Sequence, residues 1–169
     1  TNHGLVLPVT DEPGSDIEGG CIIERPKVLY NQKTKKFVMW FHLELKGRGY
    51  GAARYGVATS DTPFGPFKFI RSGRVNPGIY PVGFSKPDTT DLKHQLLFPE
   101  LKAWWTPEWR KQIERGMFWM RDFEGGQMSR DMTIFIDDDG KAYHIYSSED
   151  NLTLQIAQLT DDYMQHNGS

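Results

Sequence analysis

Phe37-Val-Met-Trp-Phe-His-Leu43 decides the fold. Its β-branched and aromatic residues mark a strand. Asn31-Gln-Lys-Thr-Lys35 precedes it as a polar turn, and Lys27 to Tyr30 before that turn is short, apolar and β-prone. Downstream, Gly47, Gly49 and Gly51 break the chain, and Arg54-Tyr-Gly-Val-Ala-Thr-Ser60 is the next strand. Asp61-Thr-Pro-Phe-Gly-Pro66 is a tight turn whose two prolines cannot donate ladder hydrogen bonds. Phe67 to Ile70 completes an antiparallel meander of four strands. Its span, roughly 45 residues, is that of one propeller blade.

A second meander begins near Met132. Thr133-Ile-Phe-Ile136 is a strand, and Asp137-Asp-Asp-Gly140 is a hairpin turn in which Asp-Gly supplies the positive φ of a type I′ turn. Ala142 to Tyr146 returns, Ser147-Ser-Glu-Asp-Asn151 is a loop, and Leu152 to Leu159 is a third strand. Thr160-Asp-Asp-Tyr163 turns toward a fourth strand that the sequence barely begins. Before the first meander, Thr10 to Gly20 is dense in turn formers and acids. Between the meanders lies an insertion, residues 71–128. Its first half is irregular, with Pro77, Pro81 and Pro87. Its second half predicts a helix: Thr106 caps, Pro107 suits the first helical position, Glu108 complements the dipole and Gly116 ends it. Trp104, Trp105 and Trp109 make this segment either a flap packed on the rim or an aromatic lid.

The chain of 169 residues is long enough for one domain with a real core. A net charge of −2 gives no basic face for nucleic acid. No apolar run is long enough to span a membrane. Cys21 is the only cysteine, which excludes an intrachain disulfide and reads as a small hydrophobe. Aromatics make up 13% of the chain, which suits either an aromatic core or stacking on sugar rings. There is no phosphate loop, metal-ligand cluster or Ser-His elbow. His42 and His144 alternate with apolar neighbours in strands and read as packing or polar-face residues.

Glu24-Arg-Pro-Lys-Val28, Phe37-Val-Met-Trp40 and Tyr55-Gly-Val-Ala-Thr-Ser-Asp-Thr-Pro-Phe-Gly-Pro-Phe67 resemble the second blade of glycoside hydrolase family 43. Ser129-Arg-Asp-Met-Thr133 and Phe135-Ile-Asp-Asp-Asp-Gly-Lys-Ala-Tyr143, followed by Ile145-Tyr-Ser-Ser-Glu-Asp-Asn151, resemble its third. The flavour is that of subfamilies acting on plant arabinogalactan side chains, the exo-β-1,3-galactanases and some α-L-arabinofuranosidases. The resemblance implies an all-β fold: about two blades of a five-bladed β-propeller with a partly helical insertion. It divides the chain into the end of the first blade and a loop (1–20), the second blade (21–70), the insertion (71–128) and an incomplete third blade (129–169).

Such enzymes hydrolyse with inversion, so two carboxyls must stand well apart on either side of the scissile bond. The acid must stay protonated near neutral pH, which a neighbouring negative charge or desolvation achieves. The resemblance makes Asp131 the carboxylate that tunes the general acid, and Glu24 a contact for the hydroxyls of the terminal sugar. Arg25 and Arg130 are expected to pair with these acids or to satisfy buried carboxylates. Tyr55 suits the pocket wall or the core, and one of Glu149, Asp150 and Asn151 is expected to contact sugar from the loop at the pocket end. Asn151-Leu-Thr153 also fits a glycosylation sequon.

The general base expected in the first blade, and the general acid expected in the fourth, have no counterpart here. Galactanase-like members also dispense with the usual base Asp. Glu124 and Asp122 in the insertion are weaker acid candidates, since an acid beside Gly-Gly reads as a turn residue. No cofactor and no protein metal site is expected, although the family allows a structural cation in the full propeller. The expected partner is an oligosaccharide or polysaccharide, with no nucleic acid and no membrane. Open blade edges predict self-association. The resemblance implies a periplasmic or extracellular bacterial setting. On this reading the isolated chain is inactive; the alternative is a non-catalytic carbohydrate-binding module.

Overall fold

The computed structural model describes Asn2 and residues 4–79, 122–151 and 153–168. Among these the regular structure is all β. Strands β1 (Ile22–Asn31), β2 (Lys36–Glu44), β3 (Arg54–Ser60) and β4 (Lys68–Gly73) form one antiparallel sheet in chain order. Strands β5 (Met132–Ile136), β6 (Ala142–Ser148) and β7 (Thr153–Gln158) form a second. Both meanders expected from the sequence are therefore present.

β2 has no polar alternation because both of its faces are covered. On one side Met39, Phe41 and Leu43 pack with Ala58 and Phe67, and the loop before β1 closes over them through Leu7 and Ile17. On the other side Val38, Trp40 and Val57 meet Ile134, Ala142, Leu159 and Tyr163 of the second unit. Each fully buried side chain of this size contributes about 1.5–3 kcal/mol. Polar ties add to the seam: Trp40 Nε1–H donates to the Tyr163 carbonyl at 2.7 Å, and Asn31 Nδ2–H donates to the Asp161 carbonyl at 2.8 Å.

The structure corrects several local readings. β1 starts at Ile22 rather than Lys27, and its ladder to β2 slips between Glu24 and Lys27. The slip has a cause: Pro26 has no N–H to give, and Arg25 takes a left-handed φ of 54°. β4 runs on from Ile70 to Gly73. The turn at Asp137 is not type I′, because Gly140 alone within it has positive φ, at 81°. It closes through Gly140 N–H to the Asp137 carbonyl and Asp137 N–H to the Lys141 carbonyl, both at 2.8 Å. That is a tight turn followed by one left-handed residue, where glycine carries no Cβ penalty. The helix expected at residues 106–116 lies outside the described residues. The insertion leaves the sheet through a neck, where Val75 and Gln127 exchange backbone hydrogen bonds of 3.0 and 2.8 Å. After β7 the chain folds back, with Leu159 bridging His166.

Candidate functional site

Cross-strand register sets a row along one end of the first sheet. Glu24 on β1 faces His42 on β2, His42 faces Tyr55 on β3, and Tyr55 faces Gly73 on β4. Asp131 stands just before β5, with its carbonyl accepting the Ser147 N–H at 2.9 Å. The bulge in β1 turns Arg25 out of the ladder toward the second sheet. There Arg25 grips Asp131 with both ends of its fork, Nε to Oδ1 at 3.0 Å and Nη2 to Oδ2 at 3.3 Å. Both side chains stay open to solvent, 59% and 58% exposed, so the pair orients more than it stabilises.

Glu24 sits beside this pair. Its Oε1 accepts from the Tyr50 hydroxyl at 2.9 Å, and this contact raises the Tyr50 phenol above its ordinary value. Arg130 holds the loop that carries Tyr50: its Nη2 donates to the Tyr50 carbonyl at 2.8 Å and pairs with Asp150 Oδ1 at 2.6 Å. Both arginines proposed from the sequence thus bind acids or backbone at this end of the sheets. Of the loop candidates Glu149, Asp150 and Asn151, Asp150 is the one that joins the cluster.

Beneath Glu24 lies a buried couple that the sequence reading missed. Glu44 is fully buried; its Oε2 accepts the Ala52 and Ala53 N–H groups at 2.8 and 2.9 Å. Its Oε1 lies 2.9 Å from His42 Nε2, which donates to it because an acceptor-only carboxylate requires a proton there. His42 Nδ1 then faces Glu24 Oε2 at 3.3 Å, close enough for ion pairing but without hydrogen-bond geometry. Glu44, His42 and Glu24 form a line from the core to the surface. In His42-Leu-Glu44 alternation puts both polar side chains on the face of Trp40, but the pattern alone does not say that this face is covered.

Other sequence candidates fall elsewhere. Tyr55 is partly buried against Trp40, His144 and His166, with ring centroids 5.0, 6.3 and 4.8 Å away. Burial raises its phenol, with Arg71 and Arg54 pulling the other way. Glu149 is only 1% exposed, and its carboxylate accepts from the Ser148 and Thr153 hydroxyls. Asn151 is exposed and ends a left-handed run, with φ of 45°, 54° and 68° at Glu149, Asp150 and Asn151. Asp122 caps a turn at the neck, with Oδ1 accepting the Gly125 N–H at 2.8 Å. Among the described residues no group of three or more His, Cys, Asp or Glu is placed to hold a metal ion. No helix among them is long and apolar enough to cross a membrane.

No family model and no curated protein matches the chain. Solved structures do. A family 43 β-1,3-galactosidase, solved with galactodeoxynojirimycin, is 61% identical with a TM-score of 0.83, covering 98% of this chain and 47% of that one. The chain belongs to glycoside hydrolase family 43. A second family 43 β-1,3-galactosidase is 34% identical, TM-score 0.65, covering 98% of this chain and 25% of that one. An exo-β-1,3-galactanase from Clostridium thermocellum is 33% identical, TM-score 0.60, covering 90% of this chain and 24% of that one. The chain therefore spans less than half the length of these family 43 relatives.

Proposed function

We propose that these two blades supply the sugar-holding and acid-tuning part of an exo-acting, inverting glycoside hydrolase that removes terminal galactose from β-1,3-linked galactan of the arabinogalactan type. The observation that carries the reading is the open cluster of Glu24, Arg25 and Asp131 at one end of both sheets, in a chain 61% identical to a β-1,3-galactosidase. In this reading Glu24 takes the hydroxyls of the terminal sugar. Its carboxylate is exposed enough to be reached, 38%, and is aimed by the Tyr50 hydroxyl. Asp131 supplies the negative charge that keeps a neighbouring general acid protonated. Arg25 fixes the direction of that charge. The acid and the base come from elsewhere in a complete propeller, so the 169 residues alone release no sugar.

A chimera tests this. The chain replaces the matching stretch of the galactosidase that is 61% identical to it, and galactose release from β-1,3-galactobiose is followed. The chimera is expected to turn over. Asp131→Asn should lower kcat about 100-fold and, because loss of its negative charge lowers the pKa of the general acid, move the basic limb of the pH profile to lower pH. Glu24→Gln should act mainly on KM. Turnover unaffected by both substitutions would sink the assignment. Retention of the isolated chain by arabinogalactan in affinity electrophoresis, joined to an inactive chimera, would favour a binding module instead.

A further inference from the structure

The row that starts at Glu24 ends beside a cavity. Beyond Tyr55 and Gly73, a cavity of about 180 Å³ opens between β4, the start of the neck and the turn back after β7. Tyr55, Arg71, Arg74, Asn76, Gln165 and His166 line it, with Pro77 and Ile79 as apolar wall. Among the described residues no acidic side chain borders it. Arg74 is already engaged, with Nε and Nη2 donating to the Ala52 and Gly51 carbonyls at 3.1 and 3.0 Å. Arg71 is not. Among the described residues its guanidinium makes no hydrogen bond or ion pair, and its Nε is buried without a partner. A buried guanidinium N–H with no acceptor costs stability unless something fills the place. Arg71 faces Val57 across the strands, so it shares the face that Trp40, Tyr55 and His166 occupy.

The remaining lining suits a sugar. Asn76 and Gln165 offer amides for hydroxyls, and the Tyr55 ring, Pro77 and Ile79 offer surfaces for C–H faces. Burial holds His166 down to about 4, so it adds no charge at neutral pH and accepts or donates as a neutral ring. From Glu24 to Gly73 the row crosses three strand spacings, about 14 Å. One terminal ring on Glu24 does not reach that far.

We propose that this cavity is a subsite for a carboxylate-bearing sugar, a uronate, whose carboxylate pairs with Arg71. The choice of a sugar as carrier rests on the glycan reading of Glu24, whereas the anion site does not. The two are separable, because Glu24→Gln leaves this cavity untouched.

Titration of the 169-residue chain by calorimetry tests the proposal, with methyl β-D-glucuronide, methyl β-D-glucoside and sodium sulfate as probes. The glucuronide should bind about tenfold or more tightly than its neutral twin, as one charge-assisted pair predicts. That advantage should shrink with added salt. Arg71→Gln should abolish it, Arg71→Lys should keep part of it, and Arg48→Gln should leave it unchanged. Equal binding of glucuronide and glucoside overturns the proposal, as does glucuronide binding that survives Arg71→Gln. Arg71-dependent binding of sulfate without the glucuronide also overturns it, in favour of a bare oxyanion site. Unchanged glucuronide binding in Glu24→Gln, whatever the fate of galactoside binding there, isolates this subsite from the Glu24 reading.

Discussion

Glu44 shows how one residue organises the candidate site from beneath. It is fully buried, yet both of its oxygens have donors: two backbone N–H groups and the His42 ring. The same two N–H groups belong to the loop that brings Tyr50 over Glu24, so a core carboxylate holds the loop that aims a surface one. Glu44→Gln keeps the shape and puts an amide N–H or a weaker oxygen against existing donors. It should cost about 2 kcal/mol in urea unfolding, and it should loosen Tyr50, read as lost protection of the Ala52 and Ala53 amides from hydrogen exchange. Protection unchanged at both amides would contradict this role. The sequence made Glu24, Arg25, Asp131 and Arg130 visible, since each stands in a stretch that resembles family 43. It did not show the couple of His42 and Glu44. A His and a Glu two apart in a strand are ordinary, and only burial by Trp40 and the following loop makes them a pair.

At the scale of elements, the first sheet depends on what glycine permits at Gly56. A Cβ there would run into the Phe41 ring, which packs directly over the β3 backbone. Gly56→Ala should therefore lower stability by about 1–3 kcal/mol, measured by denaturant midpoint, because neither the ring nor the central strand has room to move. Gly73→Ala should cost less, since the nearest atoms there belong to the end of the Tyr55 side chain at 3.3 Å and beyond. The strands themselves were legible, as β-branched and aromatic runs set off by turn residues. The bulge in β1 was signalled only by Pro26, and its consequence, an arginine swung toward the next sheet, depends on a partner 106 positions away. The second sheet raises a further expectation. Phe135, Leu154 and Ile156 are 52%, 72% and 63% exposed and lie on the side away from Trp40. An apolar face of this kind associates. Concentrated chain should sediment above monomer mass, and Leu154→Lys with Ile156→Lys should return it toward monomer. Monomeric behaviour of the unsubstituted chain would refute this.

Across the whole molecule, the two sheets meet through aromatic and histidine rings that lie far apart in the sequence. Trp40, Tyr55, His144, Tyr146 and His166 come from both meanders and from the return after β7. His144 Nδ1 and His166 Nε2 share a hydrogen bond of 2.9 Å, one ring donating to the other. No local pattern reveals such a pair, because residues 22 positions apart become neighbours only when β6 and the final turn pack. The pair links fold to pH. Burial pushes His144 well below its ordinary value, with His166 adding to the effect, and burial holds His166 down to about 4. In the unfolded chain both rings regain the ordinary value near 6.5. Between that value and about 4 the unfolded state binds more protons, so stability falls as pH falls. At pH 7 the full stability is present. For His166 alone, lowering the pH from 7 to 5 should remove about 2 kcal/mol, above the range in which most carboxylates titrate. Urea midpoints measured at pH 7 and pH 5 provide the check, with His166→Gln as the comparison. The substitution weakens the seam at pH 7 but should flatten the slope between the two values. An equally steep slope in His166→Gln would show that the acid sensitivity of this seam lies in other groups.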